Sequence, residues 1–197
     1  RNSYKYWREP GVMKKYKLTN QEMQTRGGFK LEIEKKVIIS REGNKLCSDQ
    51  VIHYYDHPAL AILFNPVHAN ITNPRLFECE VWNVVAHDGL KGGCKELTLL
   101  KEIEIPAISK PQKIDFVLMC AKKASTCKSR SAFDENWFNI IAGVDWLNIT
   151  NKSAASAASE VAYAVLAEWG GSEASYAASM SKYFIETIEG ILKEEAK

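Results

Sequence analysis

At 197 residues, with 46% hydrophobic and 25% charged residues, the chain fits one large domain or one domain with a substantial appendage. A formal net charge of +2 and a pI of about 8.2 lack the clustered basic face of a dedicated duplex binder, so nucleic acid is not an expected partner. No apolar run is long enough to span a bilayer and no stretch reads as a secretory signal, while Cys47, Cys79, Cys94, Cys120 and Cys127 form no C-x-x-C pair; these features predict reduced thiols, no membrane partner and a cytoplasmic location.

Strand signals dominate the first half. Residues 11–19 and 28–40 read as strands joined by a polar connection, with Phe29, Leu31 and Ile33 alternating with Lys30, Glu32 and Glu34 as on a sheet with one wet face. Residues 41–45 form a turn. Residues 51–55, VIHYY, read as a strand leading into a short helix, HPALAILF, with Asp56 or His57 as cap and Pro58 in its first turn. Asn65-Pro66 is expected to break that helix and to open a loop, residues 65–73, held between two Asn-Pro turns. Residues 76–85 alternate again, with Phe77, Cys79 and Val81 on one face. Residues 87–95 read as a Gly-rich hairpin connection around Asp88-Gly89, and residues 96–106 as the returning strand, stopped by Pro106.

From Ser109 the pattern turns helical. Ser109 and Gln112 have capping-box spacing, and Ile114, Val117, Leu118 and Ala121 follow at helical intervals. After a basic loop over residues 122–130, a second helix opens at Ser131 or Asp134. A third, Ala-rich helix places Ala158, Val161, Val165 and Trp169 on one face and ends at Gly170-Gly171. The last helix has the longest apolar stripe: Tyr176, Met180, Tyr183, Phe184, Ile188, Ile191 and Leu192. The expected fold is α+β: a mostly antiparallel β body over residues 1–108 with one short helix, then C-terminal helices over 109–197 that include an Ala-rich helical hairpin. The last stripe is broader than the face its preceding helix offers, which predicts a homodimer or higher oligomer through residues 154–193, with Tyr176, Met180, Tyr183, Phe184 and Ile188 at the contact.

Common chemistries are poorly supported. His53 and His57 flank a strand-to-helix junction rather than sharing a helix face, and there is no H-E-x-x-H, so no metal is expected. G-x-S-x-G, a P-loop and G-x-G-x-x-G are all missing, so neither a nucleophile elbow nor a bound cofactor is expected. Glu78/Glu80 and Glu102/Glu104 fit a solvated sheet face, Cys47 and Cys79 fit small core positions, and His53 fits a partly buried sheet residue. The cations of residues 122–130 suit a helix C-terminus. His68, in a loop between turns, is the histidine best placed to bind something.

The stretch KLCSDQVIHYYDHPALAILFNPVHANITNPRLFECEV, followed by DGLKGGCKELTLLKEIEIP, a Trp-bearing helix and an Ala-rich tail, resembles an uncharacterised group of small proteins common in bacteriophage and prophage genomes. The likeness covers roughly residues 14–165. Its most specific parts are Cys47-Ser48-Asp49, His53-Tyr54, Asn65-Pro66 through Asn70, and Gly92-Gly93-Cys94. It implies a phage-encoded, non-catalytic protein that docks on a host defence or regulatory protein in the host cytoplasm. Loops on a rigid sheet carry recognition, so Tyr54, Asn65, His68, Asn70 and Asn73 are the expected contact residues. A fainter likeness to the NAD-splitting ADP-ribosyltransferase fold implies an enzyme alternative. It would use His53, Tyr54 and a strand Glu such as Glu78 or Glu102, with Arg26 falling in a turn. A structural virion component is the third alternative.

Overall fold

The structure, a computed structural model, describes residues 14–46, 48–124, 149–152, 154, 156 and 173–194. The expected helix from Ser131, the Ala-rich helix with its Gly170-Gly171 turn, the loop after Ala124, Cys47 and Cys127 lie outside the described residues.

A hairpin organises the β body. Strands β4 (Arg75–His87) and β5 (Gly92–Ile103) pair antiparallel from Leu76↔Ile103 to His87↔Gly92. The turn between them is fixed by the Asp88 carboxylate, which accepts from the main-chain N–H groups of Leu90 and Lys91 at 2.9 and 2.8 Å. Strand β1 (Lys15–Thr19) lines the free edge of β4, from Lys15↔Cys79 to Thr19↔Arg75. The free edge of β5 is shared by β3 (Ile52–Tyr54) and β2 (Lys36–Ile38). Tyr55 then pairs back to Tyr16 through two main-chain hydrogen bonds of 2.9 and 2.8 Å. The ladder β1-β4-β5-β3 thus returns to β1 and closes a ring at one end.

The inner face of that ring buries Leu31, Ile52, Tyr54, Phe77, Cys79, Cys94, Leu97 and Leu99. Its outer face, including Leu18 and Leu76, meets the helices. These are α1 (Pro58–His68), α2 (Lys110–Ala124) and α3 (Glu173–Glu194). The protein is α+β, with an antiparallel sheet and its last described helix at the C-terminal end.

Local chemistry explains where elements start. His57 caps α1 by accepting from the Ala59 N–H at 3.2 Å. Ser109 and Gln112 form the reciprocal capping box at 2.8 and 3.3 Å. The glycines of the hairpin do a different job from the one expected. β5 begins at Gly92 rather than near Glu96, because the Tyr54 ring lies across Gly92, where a Cβ would collide with it. A Cβ on Gly93 would likewise come within 2.9 Å of Leu46 and Val51.

Three further expectations are corrected. Residues 28–40 do not make one strand; only Lys36–Ile38 does. Phe29 falls in the tight turn that Thr25 and Gly28 close and is exposed, Leu31 is anchored by its N–H to the Met23 carbonyl at 2.8 Å and is buried, and Ile33, next to the left-handed Glu34 (φ 61°), is exposed. Asn65-Pro66 does not break α1, which continues to His68. Pro66 has no N–H for the Ile62 carbonyl one turn earlier, and the Asn151 amide donates to that oxygen instead, at 3.4 Å. The stripe on α3 is covered within the chain: Tyr176, Met180, Phe184 and Ile188 are buried, with Phe184 against Phe64 and Phe116 at ring distances of 6.4 and 6.2 Å. Tyr183 is partly buried and donates its hydroxyl to the Met119 carbonyl at 2.6 Å. Of the region expected to form a homo-oligomer, residues 154–193, most of the part before residue 173 lies outside the described residues.

Candidate functional site

Strand β1 places Lys15 and Lys17 on the inner face of the ring, directly opposite Cys79 and Phe77. Both lysines are buried, at 9% and 7% exposure. A buried ammonium is expensive unless something compensates it. The two are treated differently, and that difference defines the candidate sites.

Lys15 is compensated. Its Nζ donates to Asp56 Oδ1 at 2.6 Å. Asp56 Oδ2 accepts from His87 Nε2 at 2.8 Å and from the Ser181 hydroxyl. His87 Nδ1 accepts from the Gly89 N–H at 3.0 Å, which places the ring proton on Nε2, facing Asp56. Burial alone would raise the Asp56 carboxyl; the His87 hydrogen bond and the Lys15 ammonium overrule it and hold the group well below the usual carboxylate range. The composition is that of a nucleophile triad, but the connectivity is not. Ser181 bonds the carboxylate rather than the imidazole, and both ring nitrogens are committed, so no base is aimed at the hydroxyl. The cluster joins β1, the β3–α1 junction, the end of β4 and α3, and it acts as a strut.

Lys17 is not compensated by charge. Its Nζ donates to the His53 carbonyl at 2.6 Å, and no carboxylate among the described residues lies within salt-bridge distance. Burial pushes its pKa down to about 8. Lys17 lines a cleft of about 730 Å³, in the size range of small-ligand sites. The cleft lies where β1 and β3 are no longer joined beyond the Tyr16–Tyr55 bridge. Its walls also carry Arg26, Arg41 and Lys91, against the carboxylate of Asp49. Asp49 is engaged by Arg41, and Lys91 reaches Asp88 at 3.1 Å. Arg26, like Lys17, donates to a neutral main-chain oxygen, that of His68, at 3.0 Å. The wall bearing Ser40 to Gln50 is tied down by Lys95, whose ammonium donates to the carbonyls of Arg41, Gly43 and Gln50 at 2.6–2.7 Å.

Two histidines line the same cleft. Burial, then Lys17 and Lys91, push His53 down to about 3. Burial, then Lys91, push His68 down to about 4. Both rings are therefore neutral near pH 7. The His68 ring lies flat against Phe64 and Tyr55, at 5.0 and 6.1 Å, and its Nδ1 is buried without a hydrogen-bond partner among the described residues.

Of the expected contact residues, His68 reaches the cleft and the other four do not line it. Tyr54 is turned into the ring, 2% exposed, with its phenol over Gly92. Asn65 holds the loop from inside, its amide donating to the Ile71 carbonyl at 2.9 Å and its oxygen accepting from the Ile71 N–H at 3.0 Å. Asn70 and Asn73 take φ 50° and 47°, turn conformations that Asn tolerates. The enzyme alternative is not assembled either. Glu78 faces Lys14 and Lys101, Glu102 forms a two-pronged pair with Arg75, and neither lines the cleft with His53. Burial raises the thiols, Cys94 to about 12 and Cys79 and Cys120 further, so none of these is a ready nucleophile. Among the described residues no group of three or more His, Cys, Asp and Glu could hold a metal, and no helix is long and apolar enough to cross a membrane.

The residues missed from sequence are Lys17, Arg26 and Lys91. Period-two alternation in KKYKLT did set Lys15 and Lys17 apart from Tyr16 and Leu18, but polar side chains on a strand normally mark its wet face.

Residues 13–110 match the family model of a domain of unknown function, DUF7666; the matched stretch holds all five described strands, α1 and every residue lining the cleft. No curated protein and no solved structure matches the chain.

Proposed function

We propose that the chain is a non-catalytic binding protein whose ligand site is the cationic cleft, and that the ligand is a small molecule bearing an anionic group. Lys17 carries this reading: a buried ammonium, facing a cleft, with no carboxylate beside it among the described residues. An arriving anion supplies the missing charge in a partly dry site, where the attraction is strongest. Arg26 and Lys91 add to the field from the opposite walls. The two cleft histidines, kept neutral near pH 7 by burial, leave Lys17 and Arg26 as the cleft cations without a carboxylate partner among the described residues. The reading keeps the expected non-catalytic role, within the phage setting that the sequence resemblance implies, and exchanges the docking loop for the cleft.

Thermal unfolding with inorganic pyrophosphate as probe tests it. Wild-type Tm should rise with the logarithm of the probe concentration once that exceeds Kd, by the equivalent of about 2.7 kcal/mol at a hundred times Kd, and the rise should shrink as salt is added. Lys17→Met should abolish the rise. No shift in the wild type, or an equal shift in the variant, would overturn the assignment.

A further inference from the structure

We propose that the ligand of this cleft is a phosphate monoester with a flat apolar body, of the nucleoside monophosphate type. Its head would sit at Lys17 and its body on Phe29; the proposal rests on the anion-binding reading above. Two observations choose the head group. Lys17 and Arg26, the two cleft cations that lack a carboxylate among the described residues, come from different walls, β1 and the turn after it. Two uncompensated positive charges match a dianion, and donors arriving from separate directions suit a tetrahedral oxyanion better than a planar carboxylate, which a single guanidinium fork satisfies. Lys91, from the β4–β5 turn, and the hydroxyls of Thr25 and Ser40 offer further donors in the same walls.

The body is chosen by the rim. Phe29 and Ile38 are large apolar side chains left 42% and 64% exposed, and both line this cleft. Phe29 does not sit on a loose loop. Its carbonyl accepts from the Thr25 N–H at 2.9 Å, the Gly28 N–H donates to the Thr25 carbonyl at 2.9 Å, and Gln24 pairs with Lys30. Gly28 takes the φ of 77° that this tight turn requires. The turn therefore holds an exposed aromatic side chain on the wall of a cleft that Lys17 and Arg26 also line. A ring stacked there covers exposed apolar surface while its phosphate reaches inward.

Calorimetric titration of the full chain with AMP, ribose 5-phosphate and adenosine, at one fixed ionic strength, tests the proposal. AMP should bind about ten-fold more tightly than ribose 5-phosphate, the gain that one stacked base brings, and adenosine should not bind measurably. Phe29→Ala, at an exposed position, should bring AMP to the affinity of ribose 5-phosphate. Lys17→Met should remove both. Equal affinities for AMP and ribose 5-phosphate, or tight binding of adenosine alone, would overturn the inference. If the three fail while pyrophosphate binds, the inference falls and the anion-binding reading stands. If pyrophosphate fails as well, both fall.

Discussion

Lys15 and Lys17 stand two residues apart on one face of β1, both buried and both opposite β4. Lys15 closes a network in which every partner is supplied from within the chain: Asp56, His87, the Gly89 N–H and Ser181. Lys17, one pleat further along, opens onto a cleft and has a main-chain carbonyl in place of a counter-ion. The same residue type thus meets a carboxylate at one position and a cleft at the next. What separates them is the neighbouring carboxylate, not burial.

That contrast can be broken at either end. The largest effect is expected at Asp56. Asp56→Ala strands the Lys15 ammonium in a dry site and should lower stability by about 3–5 kcal/mol in chemical denaturation. A loss below about 1 kcal/mol would show that the strut is not compensated as described. The folded-state pKa of Asp56 is lowered, so its contribution is present above the ordinary carboxylate range and lost as pH falls through the lowered value. The gap between wild type and variant should therefore persist below pH 4 before it closes.

Lys17→Met should act with the opposite sign. The folded pKa of about 8 lies below the ordinary lysine value of 10.5. The unfolded chain then holds the proton more tightly, and the charged side chain destabilises the fold throughout the range below pH 8. The variant should be more stable than wild type near pH 7 by up to about 3 kcal/mol. Between about pH 8 and 10.5 the folded protein sheds the proton while the unfolded chain keeps it, so wild-type stability climbs toward that of the variant. Taking the difference between the two proteins cancels the contribution of the cysteines, whose thiols ionise in the unfolded chain in the same region. A variant less stable than wild type at pH 7 would make Lys17 a second strut.

The smallest effect sharpens the first end. Ser181→Ala removes one donor from an Asp56 that keeps Lys15 and His87, and should lower stability by about 1–2 kcal/mol. A loss as large as that of Asp56→Ala would mean that the hydroxyl, not the charge, holds α3 to the sheet.

Much of the architecture was legible because it follows from local chemistry. Period-two alternation marked β4, the Asp88-Gly89 dipeptide marked its turn, and Ser109 with Gln112 marked the start of α2. Legibility failed where a distant group decides. Pro66 reads as a helix breaker until Asn151, far along the chain, takes the freed carbonyl. Gly92 and Gly93 read as turn residues until Tyr54, Leu46 and Val51 occupy the space above them. Phe29, Leu31 and Ile33 alternate in sequence, yet Phe29 falls in the turn closed by Thr25 and only Leu31 ends up inside. The cleft was the least legible feature. Its residues come from six separated stretches, and nothing local tells that Lys17 lacks the carboxylate Lys15 has.

The shared edges of the β4–β5 hairpin also fix an order of events during synthesis. β1, β2 and β3 all precede the hairpin in the chain, and each takes its ladder partner from it; the Tyr16–Tyr55 bridge and the Lys17 hydrogen bond to the His53 carbonyl link β1 to the stretch around β3. As the chain emerges N-terminus first, β1 has no ladder to join until β4 has left the ribosome, and β2 and β3 have none until β5 has. The hairpin closes a four-residue turn, at little entropic expense, whereas β1 must span some sixty residues to reach it. A ribosome-stalled chain ending before β5 should therefore remain protease-sensitive throughout, and resistance should appear in one step once the returning strand is exposed.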